Sequence, residues 1–231
     1  MITLRHANER GQADFGWLQT HHSFSFGEYY DPAHMGFSAL RVINDDTIQP
    51  GAGFDTHGHK DMEIITFVLK GSIAHKDSEG NVETLPAGEF QLMSAGRGIA
   101  HSEFNPSNTE TLHLLQIWIQ PNTLGGQPGY QQKAFAVQTG LTPIATPDGQ
   151  QGTLQRKQDG TLYELTLPPH TAHTISVTAD RQVYIHQVEG ALAVNDVSLL
   201  AGDGAKVRDE NTLTLCNTGD SSVTALVFDL P

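Results

Sequence analysis

Thr56-His57-Gly58-His59-Lys60-Asp61-Met62-Glu63 is the stretch on which the reading of this chain turns. In an extended strand, residues i and i+2 project from one face, so His57 and His59 converge on the same point. Alone, such a pair reads equally well as two surface histidines. A second pair of the same spacing, His101-Ser102-Glu103, follows the glycine-rich segment Ser94-Ala95-Gly96-Arg97-Gly98. On a neighbouring strand it adds a third imidazole and a carboxylate. Together the four suit an octahedral divalent ion with its remaining positions open. Imidazole accepts Fe, Mn, Ni, Cu or Zn, so the residues select no single metal. The glycines before His101 read as a tight turn that aims it; no helical pattern follows them, as a phosphate loop requires.

Around these pairs, short β-patterned runs alternate with turn residues, at 39–43, 64–69, 90–93, 112–119, 183–188, 213–216 and 223–228. No long amphipathic helix pattern is present, and 23 Gly with 11 Pro fit a turn-rich chain. The 231 residues suffice for two domains. Residues 121–132, rich in Pro, Gly, Gln and Asn, form the expected linker. A weak repeat supports two halves: Lys70-Gly71 leads to Leu85-Pro86-Ala87-Gly88-Glu89, and Glu189-Gly190 leads to Leu199-Leu200-Ala201-Gly202-Asp203. The glycines stand 17 apart in one half (71 to 88) and 12 in the other (190 to 202). The expected fold is therefore all-β, two stacked antiparallel jelly-roll barrels covering 1–130 and 131–231. Carrying the offsets of His57, His59, His101 and Glu103 into the second half reaches Ser176, Thr178, Leu215 and Asn217, which predicts a metal-free C-terminal domain.

Thirteen basic against 26 acidic residues leave a net charge of −13, which repels nucleic acid and anionic membranes. No apolar run is long enough to span a bilayer, and the N-terminus has no signal-peptide core, so a cytoplasmic protein is expected. The single cysteine, Cys216, reads as a buried inert thiol.

The cupin superfamily is resembled at both motifs. Gly51, His57, His59, Glu63 and Gly71 fit the first, with seven residues between Glu63 and Gly71 in place of six; Gly80, Pro86, Gly88, His101 and Asn105 fit the second, with twelve residues between Gly88 and His101 in place of two. The slip at Glu63 passes the carboxylate role to Glu103. Those departures are similar to the pirin family, as are Phe24-Ser25-Phe26, Tyr29-Tyr30-Asp31-Pro32, the run 93–103 and Leu112-His113-Leu114-Leu115-Gln116-Ile117-Trp118. The resemblance is to the bacterial pirin-like proteins described as quercetin 2,3-dioxygenases. It implies a bicupin whose ligands are His57, His59, His101 and Glu103, holding Fe(II), with Zn, Mn, Ni, Cu or Co as alternatives. It also implies oxygen-dependent cleavage of a flavonol with release of carbon monoxide, Glu103 taking the 3-hydroxyl proton. A monomer is expected. The alternatives are a regulatory protein that binds a protein partner according to its metal state, and a different metal-dependent cupin enzyme.

Other residues carry expectations of their own. Glu63 either orients a ligand or lies on a loop. His113 and Gln116 lie on opposite faces of one strand, so at most one lines a cavity. His75 is expected in solvent, His170 and His173 on a loop beside Pro168-Pro169, and His22 on the same face as Phe24 and Phe26. Phe24, Phe26 and Met35 are candidate apolar walls, though core packing suits each.

Overall fold

Strands form where the sequence alternates or runs apolar, and the central ones are buried on both faces. Val223–Leu230, for example, is buried along almost its whole length, and Leu40–Ile48 nearly so. The computed structural model describes residues 1–231. It has no α-helix, only strands and two single-turn 3-10 segments, Ala7–Glu9 and Gln150–Gly152. No helix is long and apolar enough to cross a membrane. The runs marked in the sequence all fall within strands, apart from Ala39 in the turn before Leu40–Ile48.

Two compact units emerge. One comprises residues 11–135 with 156–158; the other comprises 1–10, 136–155 and 159–231. A cut between 130 and 131 falls inside the strand Gly129–Ala134, which pairs antiparallel with Glu89–Ser94. That strand is Gly-Tyr-Gln-Gln-Lys-Ala, with no apolar alternation, so it reads as linker although its backbone completes a sheet. The first ten residues join the second unit, where Ile2–Arg5 pairs with Gly204–Val207.

Each unit contains one sheet of seven strands and one of four. In the first unit the centre of the large sheet runs Glu89–Ser94, Glu63–Lys70, Leu112–Ile119, Leu40–Ile48, Leu18–His22. In the second, Gly204–Val207, Gln182–Glu189, Val223–Leu230, Thr161–Leu167 and Gly140–Thr146 take the same order. The glycines of the sequence repeat sit at matching corners. Gly71 and Gly190 both have φ of +82°, and in each case a Cβ would press on the chain entering the next sheet strand, at Thr111–Leu112 and at Ser222–Val223.

A second correspondence lies in two buried asparagines. The Asn105 side-chain amide donates to the carbonyls of Ile48, Gln49 and Glu110, and that of Asn217 donates to Leu167, Pro168 and Ser221. Each clamps the end of a small-sheet strand to two neighbouring segments. Replacing either by Ala strands three carbonyl acceptors. Asn105→Ala and Asn217→Ala should each destabilise the protein by about 1–3 kcal/mol, seen as a lower urea midpoint. An unchanged midpoint would show that water replaces the clamp without cost.

Candidate metal centre

The interiors of the two units differ. In the second, Leu165, Ile185, Leu192, Leu213, Leu215, Val223 and their neighbours form one continuous apolar cluster. In the first, apolar packing is split between a cluster around Ile48, Val68, Leu85 and Leu114 and another around Ile64, Met93 and Ile99. Histidines and carboxylates gather within the same unit.

His57 and His59 lie on Gly53–His59, and His101 and Glu103 on its antiparallel neighbour Ile99–Phe104. His101 stands directly opposite His57, and a register shift then sets Glu103 opposite Phe54. At that bulge the strands approach so closely that a Cβ on Gly53 would lie 2.2 Å from the Glu103 carbonyl oxygen, which explains the glycine. The three imidazoles form a triangle, with ring centroids 4.6–4.9 Å apart. Their ligand atoms all lie within 4.8 Å of one another. The Glu103 carboxylate belongs to a second triple with His75 and His101, within 4.8 Å of one another, and His101 is common to both triples.

Hydrogen bonds set the orientation of these groups. The His57 Nδ1–H donates to the Asp55 carbonyl at 2.7 Å, leaving Nε2 bare. Trp118 Nε1–H donates to Gln116 Oε1 at 3.3 Å, and the Gln116 amide donates to Glu103 Oε2 at 2.8 Å. The indole is donor only, so it fixes which end of the Gln116 amide meets the carboxylate. Two polar atoms, His101 Nε2 and Glu103 Oε1, are buried with no hydrogen-bond partner.

Burial also sets the charge. Desolvation, helped by the neighbouring His57, lowers His59 to about 4. Desolvation and the other histidines lower His101 to about 3. Glu103 rises from 4.5 to about 7, mainly through desolvation, with the charge of Asp46 adding and Gln116 and Thr66 opposing. Bare imidazole nitrogens and a carboxylate that is costly to ionise without a cation are the donor set a divalent ion requires. The residues present fit such an ion.

Beside the cluster is a cavity of about 510 Å³. Phe15, Trp17, Phe26, Tyr29 and Phe54 supply aromatic walls, and Thr20, His22, Asn44, Asp46 and Gln116 a polar lining. Gln116 touches Glu103, and the Phe54 ring lies 6.3 Å from that of His57, so the cavity reaches the cluster. His22 is held by Asn44 at 2.7 Å. Asp46 is pushed up to about 7, chiefly by desolvation, although the Thr20 hydroxyl opposes the shift.

Several sequence expectations change. His75 is not in solvent but 1% exposed, beside His101. Its alternation with Ile73, fully buried on the same strand, was the available signal. Glu63 neither orients a ligand nor lies on a loop; its Oε2 is buried and accepts from the Ser94 hydroxyl and the Lys157 backbone N–H. Of the candidate walls only Phe26 lines the cavity, since Phe24 is core and Met35 is exposed. Gln116 faces the cavity while His113 pairs with Asp45 at 2.6 Å. Cys216 is half-buried. His173 lies in the strand Ala172–Ser176, whereas His170 sits in the turn before it, 3.0 Å from Asp220. Asn44 and Asp46, polar residues that face the cavity from the strand Leu40–Ile48, were missed.

In the second unit the Asn217 clamp fixes the equivalence better than counting does. Asn217 matches Asn105, so Leu215 and Leu213 stand where Glu103 and His101 stand, and Ile175 and Val177 replace His57 and His59. The counted positions, Ser176, Thr178, Leu215 and Asn217, miss because the connections differ in length: His57 to Gly71 is 14 residues against 15 from Ile175 to Gly190, and Gly88 to His101 is 13 against 11 from Gly202 to Leu213. A smaller cavity of about 300 Å³ in this unit includes Ser176, Thr178 and Arg181, and Arg181 is already paired with Asp159 and Asp229.

Comparison with known proteins extends these observations. The pirin family matches residues 3–119, and the quercetinase C-terminal cupin domain matches residues 143–230. A quercetin 2,3-dioxygenase of Escherichia coli is 51% identical over 231 residues, covering 100% of this chain and 99% of that protein. A pirin-like protein of Caulobacter vibrioides is 40% identical over 96% of this chain and 97% of its own length. The crystal structure of a bacterial pirin from Escherichia coli in complex with nickel(II) superposes with a TM-score of 0.96 at 51% identity, covering 100% of this chain and 99% of that one.

The raised Glu103 value gives a pH test. Unfolded, Glu103 ionises near 4.5; in the folded metal-free protein it ionises near 7. Its contribution is intact below 4.5 and lost as pH rises through 7, by on the order of 3 kcal/mol. In chelator, Glu103→Gln should therefore gain stability relative to the parent by that amount between pH 4 and pH 8 in urea unfolding. A gap independent of pH would refute the assignment.

Proposed function

The chain belongs to the pirin family, and from that premise we propose that it is a quercetin 2,3-dioxygenase whose metal centre is formed by His57, His59, His101 and Glu103. The observation that carries this reading is the pair of buried, unpartnered atoms, His101 Nε2 and Glu103 Oε1, beside an aromatic-walled cavity. Such atoms are costly to bury unless a cation completes them. The ion is divalent; the nickel(II) complex of a relative supports that class, and family resemblance favours Fe(II).

When bound, the ion supplies Lewis acidity and redox capacity for the reaction of a flavonol with dioxygen. The chain's own residues do the rest. Phe26, Tyr29 and Phe54 present aromatic surface to a flat ring system, and the cavity volume suits a ligand of flavonol size. Glu103 takes the 3-hydroxyl proton, while Gln116 and Trp118 hold its other oxygen in place. Asn44, His22 and Asp46 offer hydrogen-bond partners to the remaining hydroxyls. Opening of the central ring releases carbon monoxide.

Catalysis is assigned to the N-terminal cupin, residues 1–130 in the sequence division, and a structural, metal-free role to the C-terminal cupin, residues 131–231. Ile175, Val177, Leu213 and Leu215 at the matching positions support this. The partners are a flavonol and dioxygen, with neither nucleic acid nor membrane, as the net charge of −13 favours. A cytoplasmic monomer completes the reading.

Anaerobic loading with Fe(II), followed by oxygen and quercetin, should consume the flavonol and release carbon monoxide. Glu103→Gln, with the ion supplied in excess, should lower turnover by about 10²-fold or more, the usual contribution of a positioned base. Intact quercetin over a fully loaded centre, with metal-dependent capture of a protein partner, would put the regulatory reading in its place.

A further inference from the structure

We infer that His75 and Asp77, neither of them in the proposed ligand set, decide which ring nitrogen of His101 faces the metal. This rests on the reading of His101 as a ligand. It starts from the hairpin turn that follows Ser72–Asp77. Asp77 Oδ1 accepts the backbone N–H groups of Glu79 and Asn81, both at 3.0 Å, and Oδ2 accepts the Asn81 side-chain amide at 2.8 Å. These partners all donate, so the carboxylate is an acceptor throughout.

His75 Nε2 lies 3.1 Å from Asp77 Oδ2, with both side chains fully buried. The only proton available to that contact is the one on His75 Nε2, which therefore donates. A neutral His75 is then bare at Nδ1. That atom lies 3.5 Å from Nδ1 of His101, a long hydrogen bond in which one ring must donate. His75 has no proton there, so His101 does. The proton of His101 is thereby held on Nδ1, and its Nε2 lone pair is left free, buried and without a partner. The opposite arrangement would set two buried lone pairs against each other at Nδ1 and turn an N–H into the ligand triangle.

Tyr130, its ring centroid 4.8 Å from that of His75, packs against the outer side of this chain of contacts, and its hydroxyl is anchored by Gln91 and Gln132. His57 reaches the same result by a different route, through the Asp55 carbonyl. Two of the three imidazoles are thus set by separate anchors to present Nε2, a backbone carbonyl for His57 and the His75–Asp77 pair for His101, and such anchoring raises ligand affinity in metal sites. His75 and Asp77 are positioning residues.

Two-bond ¹H–¹⁵N spectra of the metal-free wild-type protein, with ¹⁵N-histidine, read the tautomers directly. The expected result is His101 protonated at Nδ1 and His75 protonated at Nε2 alone. A proton on His101 Nε2, or protons on both nitrogens of His75, overturns the inference. Asp77→Asn keeps an oxygen for the turn's backbone N–H groups but offers His75 an amide donor, which reverses the chain of protons, and the Asn81 amide turns over to present its oxygen. Its nickel(II) affinity should fall by about 10–100-fold with little change in melting temperature. Unchanged affinity in a folded Asp77→Asn protein also overturns it. If the wild type itself binds no nickel(II), the reading of the metal centre fails, and the metal-free spectra still decide the tautomers.

Discussion

Polar atoms buried without a protein partner are the constraint around which this protein is organised. A bare imidazole nitrogen and a carboxylate oxygen inside a β sandwich have lost water and gained nothing in exchange. Two such atoms, His101 Nε2 and Glu103 Oε1, belong to one cluster in the first unit, where His59 and His101 are kept neutral and Glu103 resists ionisation. Everything around the cluster works to hold those atoms in position: the Gly53 approach, the register shift at Glu103, and the hydrogen-bond chain from Trp118 through Gln116.

The second unit shows what the same scaffold does without that cluster. Its sheets have the same strand order, its turn glycines the same left-handed conformation and its asparagine the same triple clamp. Where the first unit places His57, His59, His101 and Glu103, it places Ile175, Val177, Leu213 and Leu215, and its interior closes into one apolar cluster. The fold tolerates both fillings because the clamps and turns that define it lie at the strand ends, away from the interior positions that differ. Fold and site are thus separable within a single chain.

The form of the cavity follows from how the first unit divides its interior. Apolar clusters at Ile48–Leu114 and at Ile64–Met93 leave room for a cavity whose walls are rings and whose lining is polar. Aromatic faces select for shape, and the few fixed polar groups select for the placement of hydroxyls.

The amino-acid order alone determined the strands, the twofold repeat and the His-x-His and His-x-Glu pairs. Each of these depends on local alternation, turn residues or spacing along one strand, which are properties of neighbours in sequence. It did not determine that Gly129–Ala134 is a strand, that residues 1–10 join the second unit, or that His75 is buried beside His101. Those outcomes depend on which backbone groups find partners across long stretches of chain, and on which side of a strand is covered. The same reason explains the counted offsets in the second half: the connections there are longer by one residue on one side and shorter by two on the other, and the Asn217 clamp, made by contacts 49 and 50 residues away, shows with the strand pairing where the strands meet. Sequence names the chemical groups, and tertiary pairing decides which of them lose water together.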